Sequence, residues 1–174
     1  MAYFTTLRAI REHSPCKLGW NKLLAHLGKT KADSEPLDLR TVLTSNGFYD
    51  TIWCLRTSEE FKQLSIAVAF EAAKQVRHLM PTDVGALFDE LASGNCTEEK
   101  RIKNKQELQR LHQQADVYDA AYAAYAAYAA YDAYDAYDAY DAYDASAYAA
   151  YAAYAAAYDA CTYHMESYLR TLLV

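Results

Sequence analysis

Proline and glycine are scarce in this chain: three and five respectively in 174 residues, with neither found after Gly94. Beyond that point nothing in the sequence forces a helix to stop. Lysine and arginine are missing between Val117 and Arg170, which argues against that stretch contacting phosphate backbones directly. The four cysteines, Cys16, Cys54, Cys96 and Cys161, are widely spaced with no C-x-x-C pair. Neither a thiolate zinc site nor a dithiol redox motif is spelled out, and reduced thiols in a cytoplasmic protein are expected. The opening MAYFTTLRAIREHSP has no unbroken apolar run, so no secretory leader is expected. No membrane span is expected either, because aspartate interrupts the longest Ala/Tyr stretch and each would be costly at the bilayer centre. Phosphate-binding glycine loops, a G-x-S-x-G elbow and an H-E-x-x-H pair are also absent, so neither an enzyme nor a cofactor is expected.

What the chain has is an uneven partition of charge. The net charge is −6. Residues 117–174 hold seven Asp, one Glu and one Arg, whereas residues 1–116 are close to neutral. A near-neutral body is joined to an acidic, aromatic region that favours basic partners.

The body reads as helices. YFTTLRAIREH predicts a short amphipathic helix ending before Pro15, and CKLGWNKLLAHL a second, capped by Ser14 and closed by Gly28. LDLRTVLTSNG and FYDTIWCLR follow. Thr57 and Glu60 form a capping-box pattern ahead of FKQLSIAVAFEAAKQVRHLM, which Pro81 ends. TDVGALFDELASGN is closed by Gly94, and Thr97 caps a charged helix that can run straight into the tract beyond it. No segment alternates like a strand.

From Tyr122 to Tyr143 tyrosine returns every third residue, with Asp132, Asp135, Asp138, Asp141 and Asp144 in the same rhythm. An α-helix turns about 300° per triplet, so a tyrosine stripe slips back about 60° each time and spirals. A 3-10 helix would instead stack every tyrosine on one face. The α propensity of alanine favours the first conformation. The step of five residues from Tyr143 to Tyr148 resets the stripe, and Ser146 inside it marks either a bend between antiparallel helices or a register correction. The expected architecture is all-α: a helical body over residues 1–116 and an Ala/Tyr/Asp helix or helical hairpin over residues 117–174 packed on it.

SPCKLGW and SNGFYDTIWCLR, followed by a helix-rich stretch and alanine triplets, resemble the Imm5-like family of immunity proteins of bacteria and phages. Cys16 and Gly19 carry the resemblance in the first motif, and Trp53, Leu55 and Arg56 in the second. It implies an all-helical, non-enzymatic protein that binds and blocks another protein, with no catalytic residues.

Read from the residues, the candidate partner-binding set is Asp132, Asp135, Asp138, Asp141 and Asp144 with Tyr131, Tyr134, Tyr137 and Tyr140. No nearby cation in the sequence compensates these carboxylates, so they should attract a basic surface on a toxin, nuclease or defence effector. The alternative is a scaffold that self-associates through stacked Tyr/Ala faces; a third reading is a small-molecule sponge lined by tyrosine rings. His13 with Cys16, and Cys161 with His164, have helical spacing, but two ligands do not make a structural zinc site. Trp20 and Trp53 read as packing residues, and Arg56 as a cap for the last carbonyls of its short helix.

Overall fold

Two three-residue strands, β1 (Phe4–Thr6) and β2 (Pro36–Asp38), pair antiparallel with Thr5 opposite Leu37. They correct the strand-free expectation; three residues are too few for a period of two to show in sequence. Each strand runs into the cap of a helix. Thr6 Oγ1 accepts from the Ala9 amide at 3.0 Å to start α1 (Leu7–Glu12). Asp38 Oδ1 accepts from the Arg40 amide at 2.8 Å to start α3 (Leu39–Asn46).

The computed structural model describes residues 3–114, 118–157 and 159–173, and side chains for residues 3–114, 122–155 and 164–173. Between the strands lies α2 (Lys17–Leu27), capped by Cys16 Sγ at 3.3 Å from the Gly19 amide rather than by Ser14. Ser14 has a positive φ of 55°, which takes it out of the extended geometry a cap requires. Gly28 closes α2 in the left-handed region at φ 64°, as expected. Helix α4 (Phe48–Cys54) follows Gly47.

The predicted capping box does not form. Thr57 Oγ1 is 2.7 Å from the Cys54 carbonyl and 2.8 Å from Thr5 Oγ1. Two 3-10 turns, Leu55–Thr57 and Glu59–Phe61, then lead into α5 (Lys62–Gln75). That helix stops well short of Pro81, and a third 3-10 turn bridges the gap at Arg77–Leu79. Helices α6 (Thr82–Ala92) and α7 (Glu98–Gln114) complete the body, and Thr97 caps α7 at 3.4 Å from the Lys100 amide.

The triplet tract forms two α-helices, α8 (Tyr118–Asp135) and α9 (Ala139–Ala157), followed by α10 (Asp159–Leu172). Tyr122 faces Tyr151 and Tyr125 faces Tyr148, at centroid separations of 6.5 and 6.2 Å, so α8 and α9 are an antiparallel hairpin. The reversal falls at residues 136–138, not at Ser146, which is fully buried inside α9. Helix α7 is antiparallel to α8 as well: His112 stacks on Tyr125 at 4.9 Å, while Asn104 reaches Tyr131. It therefore does not run straight into the tract; the linking residues 115–117 lie outside the described ones. Among the described residues the fold is all-α apart from one small strand pair.

Helix α5 is buried along Val68, Ala69, Ala72 and Ala73, and packs against both arms of the hairpin. One continuous apolar cluster runs from Leu7 and Leu39 through Phe61 to the alanines of α8 and α9. Alanine makes this arrangement workable. In α8 both residues between successive tyrosines are buried from Ala123 to Ala130, and small side chains let several helix backbones approach at once.

Candidate functional site

The spiral of the tyrosine stripe decides which tyrosines face outward. Tyr131 is three triplets beyond Tyr122, a rotation of about 180° on an α-helix. It points into the protein with 0 % exposure. Its hydroxyl donates to the Leu87 carbonyl at 2.8 Å and lies 3.3 Å from Asn104 Nδ2. Burial pushes its phenol up to about 12. Tyr131 is thus an interior anchor, closed to any partner. Tyr134 is partly exposed beneath Arg101, whose guanidinium carbon stands 5.1 Å from the ring. Tyr137, in the hairpin turn, is 91 % exposed.

The aspartates are not unpaired, as the sequence alone suggested. Arg101 of α7 pairs with Asp135, and Lys105 contacts Asp132 at 2.6 Å and Asp135 at 3.8 Å. Burial would lower the Lys105 ammonium, but Asp132 and Asp135 more than offset it and raise it above its ordinary value. Asp138 caps α9, accepting from the Asp141 amide at 2.9 Å. Asp144 is 3.6 Å from Arg56; desolvation nevertheless raises its carboxyl above the usual range, against the pull of that arginine. Among the described residues, Asp141 makes no ion pair.

The body also holds the turn itself. The carboxylate of Glu59 accepts from the Ala139 amide at 3.2–3.3 Å, and Lys62 Nζ donates to the Tyr137 carbonyl at 3.1 Å. A helix start needs acceptors for its free amides, and Glu59 brings one from a distant element. That is a physical reason for the reversal to fall here.

Arg56 does not cap its own helix. Its guanidinium carbon lies 4.7 Å from the Trp53 ring, 4.7 Å from Tyr140 and 3.9 Å from Tyr143. Trp53 and Trp20 are partly buried, and each carries an arginine on its ring, Arg11 standing 5.5 Å from Trp20. Sequence reasoning missed Glu59, Lys62, Arg101 and Lys105. The three-residue spacing of Trp53 and Arg56, which puts both on one helical face, was the only local signal for the Arg56 stack.

What remains open at the tip is a cleft of about 420 Å³. Asp132, Asp135, Asp141 and Asp144 line it against a single ammonium, Lys105, with Tyr137 and Tyr148 also in its wall. Four of the five predicted aspartates and one of the four predicted tyrosines come together here. Asp138, Tyr131, Tyr134 and Tyr140 are not part of its wall. Of the two cysteine–histidine pairs, Cys161 falls outside the described side chains, and His164 bonds Glu71 at 2.8 Å. No helix among the described residues is long and apolar enough to cross a membrane. The chain matches no protein-family model, and neither the curated proteins nor the solved structures yield a match.

Proposed function

We propose that the chain is a non-enzymatic, cytoplasmic binding protein that inhibits a partner by occupying its basic surface, in the manner of a toxin-immunity or phage counter-defence protein. The observation that carries this reading is the cleft at the hairpin tip, where four carboxylates face one ammonium beside an exposed Tyr137. A cleft lined by more carboxylates than cations concentrates negative field and speeds encounter with a basic protein. Tyrosine adds a rigid, amphipathic contact that loses little entropy on binding. The scaffold alternative has less to work with, since the alanine faces it needs are already buried within the chain.

The test uses Tyr137→Ala with Asp141→Asn, two changes that remove no internal ion pair. Wild-type protein should capture one basic bacterial protein stoichiometrically, inhibit it, and lose it as salt rises. The double variant should capture it at least tenfold more weakly. Capture that is indifferent to salt and to both substitutions, or recovery of the chain only with itself, overturns the reading.

A further inference from the structure

The two sequence motifs SPCKLGW and SNGFYDTIWCLR converge in space on a slot at the junction of α1, α2, α3 and α4. It measures about 70 Å³, and its walls include Ile10, Leu23, Val42, Trp20 and Trp53. A single carboxylate, Asp50, stands among these apolar walls. Its placement is built by neighbours on two other helices. Asn46 Nδ2 donates to Asp50 Oδ2 at 2.7 Å and to the Gly19 carbonyl at 2.8 Å. A Cβ on Gly19 would come within 2.6 Å of that same Oδ2, so a larger residue there would push the carboxylate from this position. Among the described residues Asp50 forms no ion pair, and its Oδ1 makes no hydrogen bond.

We propose that this slot takes the end of a lysine side chain from the protein partner, with the ammonium at Asp50 and the last methylenes between the apolar walls. The inference rests on the reading that the partner is basic. Size restricts the occupant: about 70 Å³ is well below the ~150 Å³ cavity that admits benzene. The slot is partly open, and two methylenes and an ammonium match its inner part. Charge restricts it further, because an anion is repelled by Asp50 and a neutral group leaves that carboxylate without a counter-ion.

Trp20 and Trp53 are the only tryptophans in the chain, so intrinsic fluorescence and the two indole N–H resonances report occupancy directly. The probes are n-butylammonium and the tripeptide amides acetyl-Gly-Lys-Gly and acetyl-Gly-Arg-Gly, titrated into the full chain at constant ionic strength. Saturable binding of butylammonium and the lysine peptide, with half-saturation on the order of millimolar, is expected. Both indole resonances should shift, and the arginine peptide should bind at least tenfold more weakly. Asp50→Asn should weaken the lysine peptide tenfold or more, and n-butyrate should leave the spectra unchanged. A flat titration of the wild-type chain overturns the proposal without reference to any variant. So does an equal response to butyrate, or binding of the free amine but not of the lysine peptide. The outcome is independent of the hairpin cleft: a flat slot titration leaves the salt-dependent capture test standing, and failure of that capture leaves the titration to be judged alone.

Discussion

The guanidinium carbon of Arg56 lies 3.9 Å from the ring centroid of Tyr143, and through this contact the body grips the repeat. The same group stacks on Trp53 and Tyr140 and faces Asp144. Arg56→Ala removes three cation–π contacts and the stem packed beneath them. It should cost about 2–4 kcal/mol in urea unfolding. Arg56→Lys should recover less than half of that, because a compact ammonium cannot lie flat on three rings. An unchanged denaturation midpoint for Arg56→Ala would show the stack to be incidental.

The aspartates should divide into two classes. Asp135→Asn leaves Arg101, largely buried, without its counter-charge and should cost about 1–3 kcal/mol. Asp141→Asn should change stability by less than about 0.5 kcal/mol, as surface changes away from any partner do. Changing all five aspartates together therefore damages the fold as well as the cleft, contrary to what their spacing alone implies. Equal costs at Asp135 and Asp141, measured by thermal unfolding, would refute this division.

Alkaline pH should unfold the protein through buried phenols. The pKa of Tyr131 rises from 10.0 to about 12 on folding, so the folded state holds its proton more tightly than the unfolded chain. The associated stability is fully present below about pH 10 and is lost as pH climbs from 10 to 12. Absorbance at 295 nm should show a late-ionising group of tyrosines, arriving together with the loss of helical circular dichroism. Tyr131→Phe removes the largest such contribution among the described residues and should soften the alkaline loss, at a cost of about 1–2 kcal/mol at neutral pH for the missing hydroxyl bonds. Full tyrosinate formation before any helix is lost would contradict the burial of Tyr131.

The alanine tract should be covered by the chain itself. Amides in residues 123–133 should exchange slowly at every protein concentration, because α5, α7 and α9 enclose them within one molecule. Ala127→Leu inserts bulk where the residue has no exposed surface, and should cost about 1–3 kcal/mol or more. Protection that grows with concentration would assign the cover to a second copy.

The period of three and the high alanine content were enough to establish helices, since backbone geometry and propensity are local properties. Gly28 and Gly94 likewise marked helix ends through their own conformational freedom, and both adopt positive φ. Even the inward turn of Tyr131 was latent in the sequence, as a 60° slip per triplet, but it could be located only once the outer face of α8 was known. What the tertiary structure decided were the meetings between distant residues. Arg56, Arg101 and Lys105 neutralise aspartates that looked unpaired along the chain, and Glu59 and Lys62 place the hairpin turn at residues 136–138. Ser146 sits in triplet phase with Tyr143, yet it is a small residue in a tight place, bonded to the Tyr143 carbonyl at 2.8 Å rather than breaking the helix. A repeat looks nearly the same from every register, so its own sequence cannot choose where it folds back. The charges and caps on the body make that choice, because they stabilise one register and leave the others with unpaired charge.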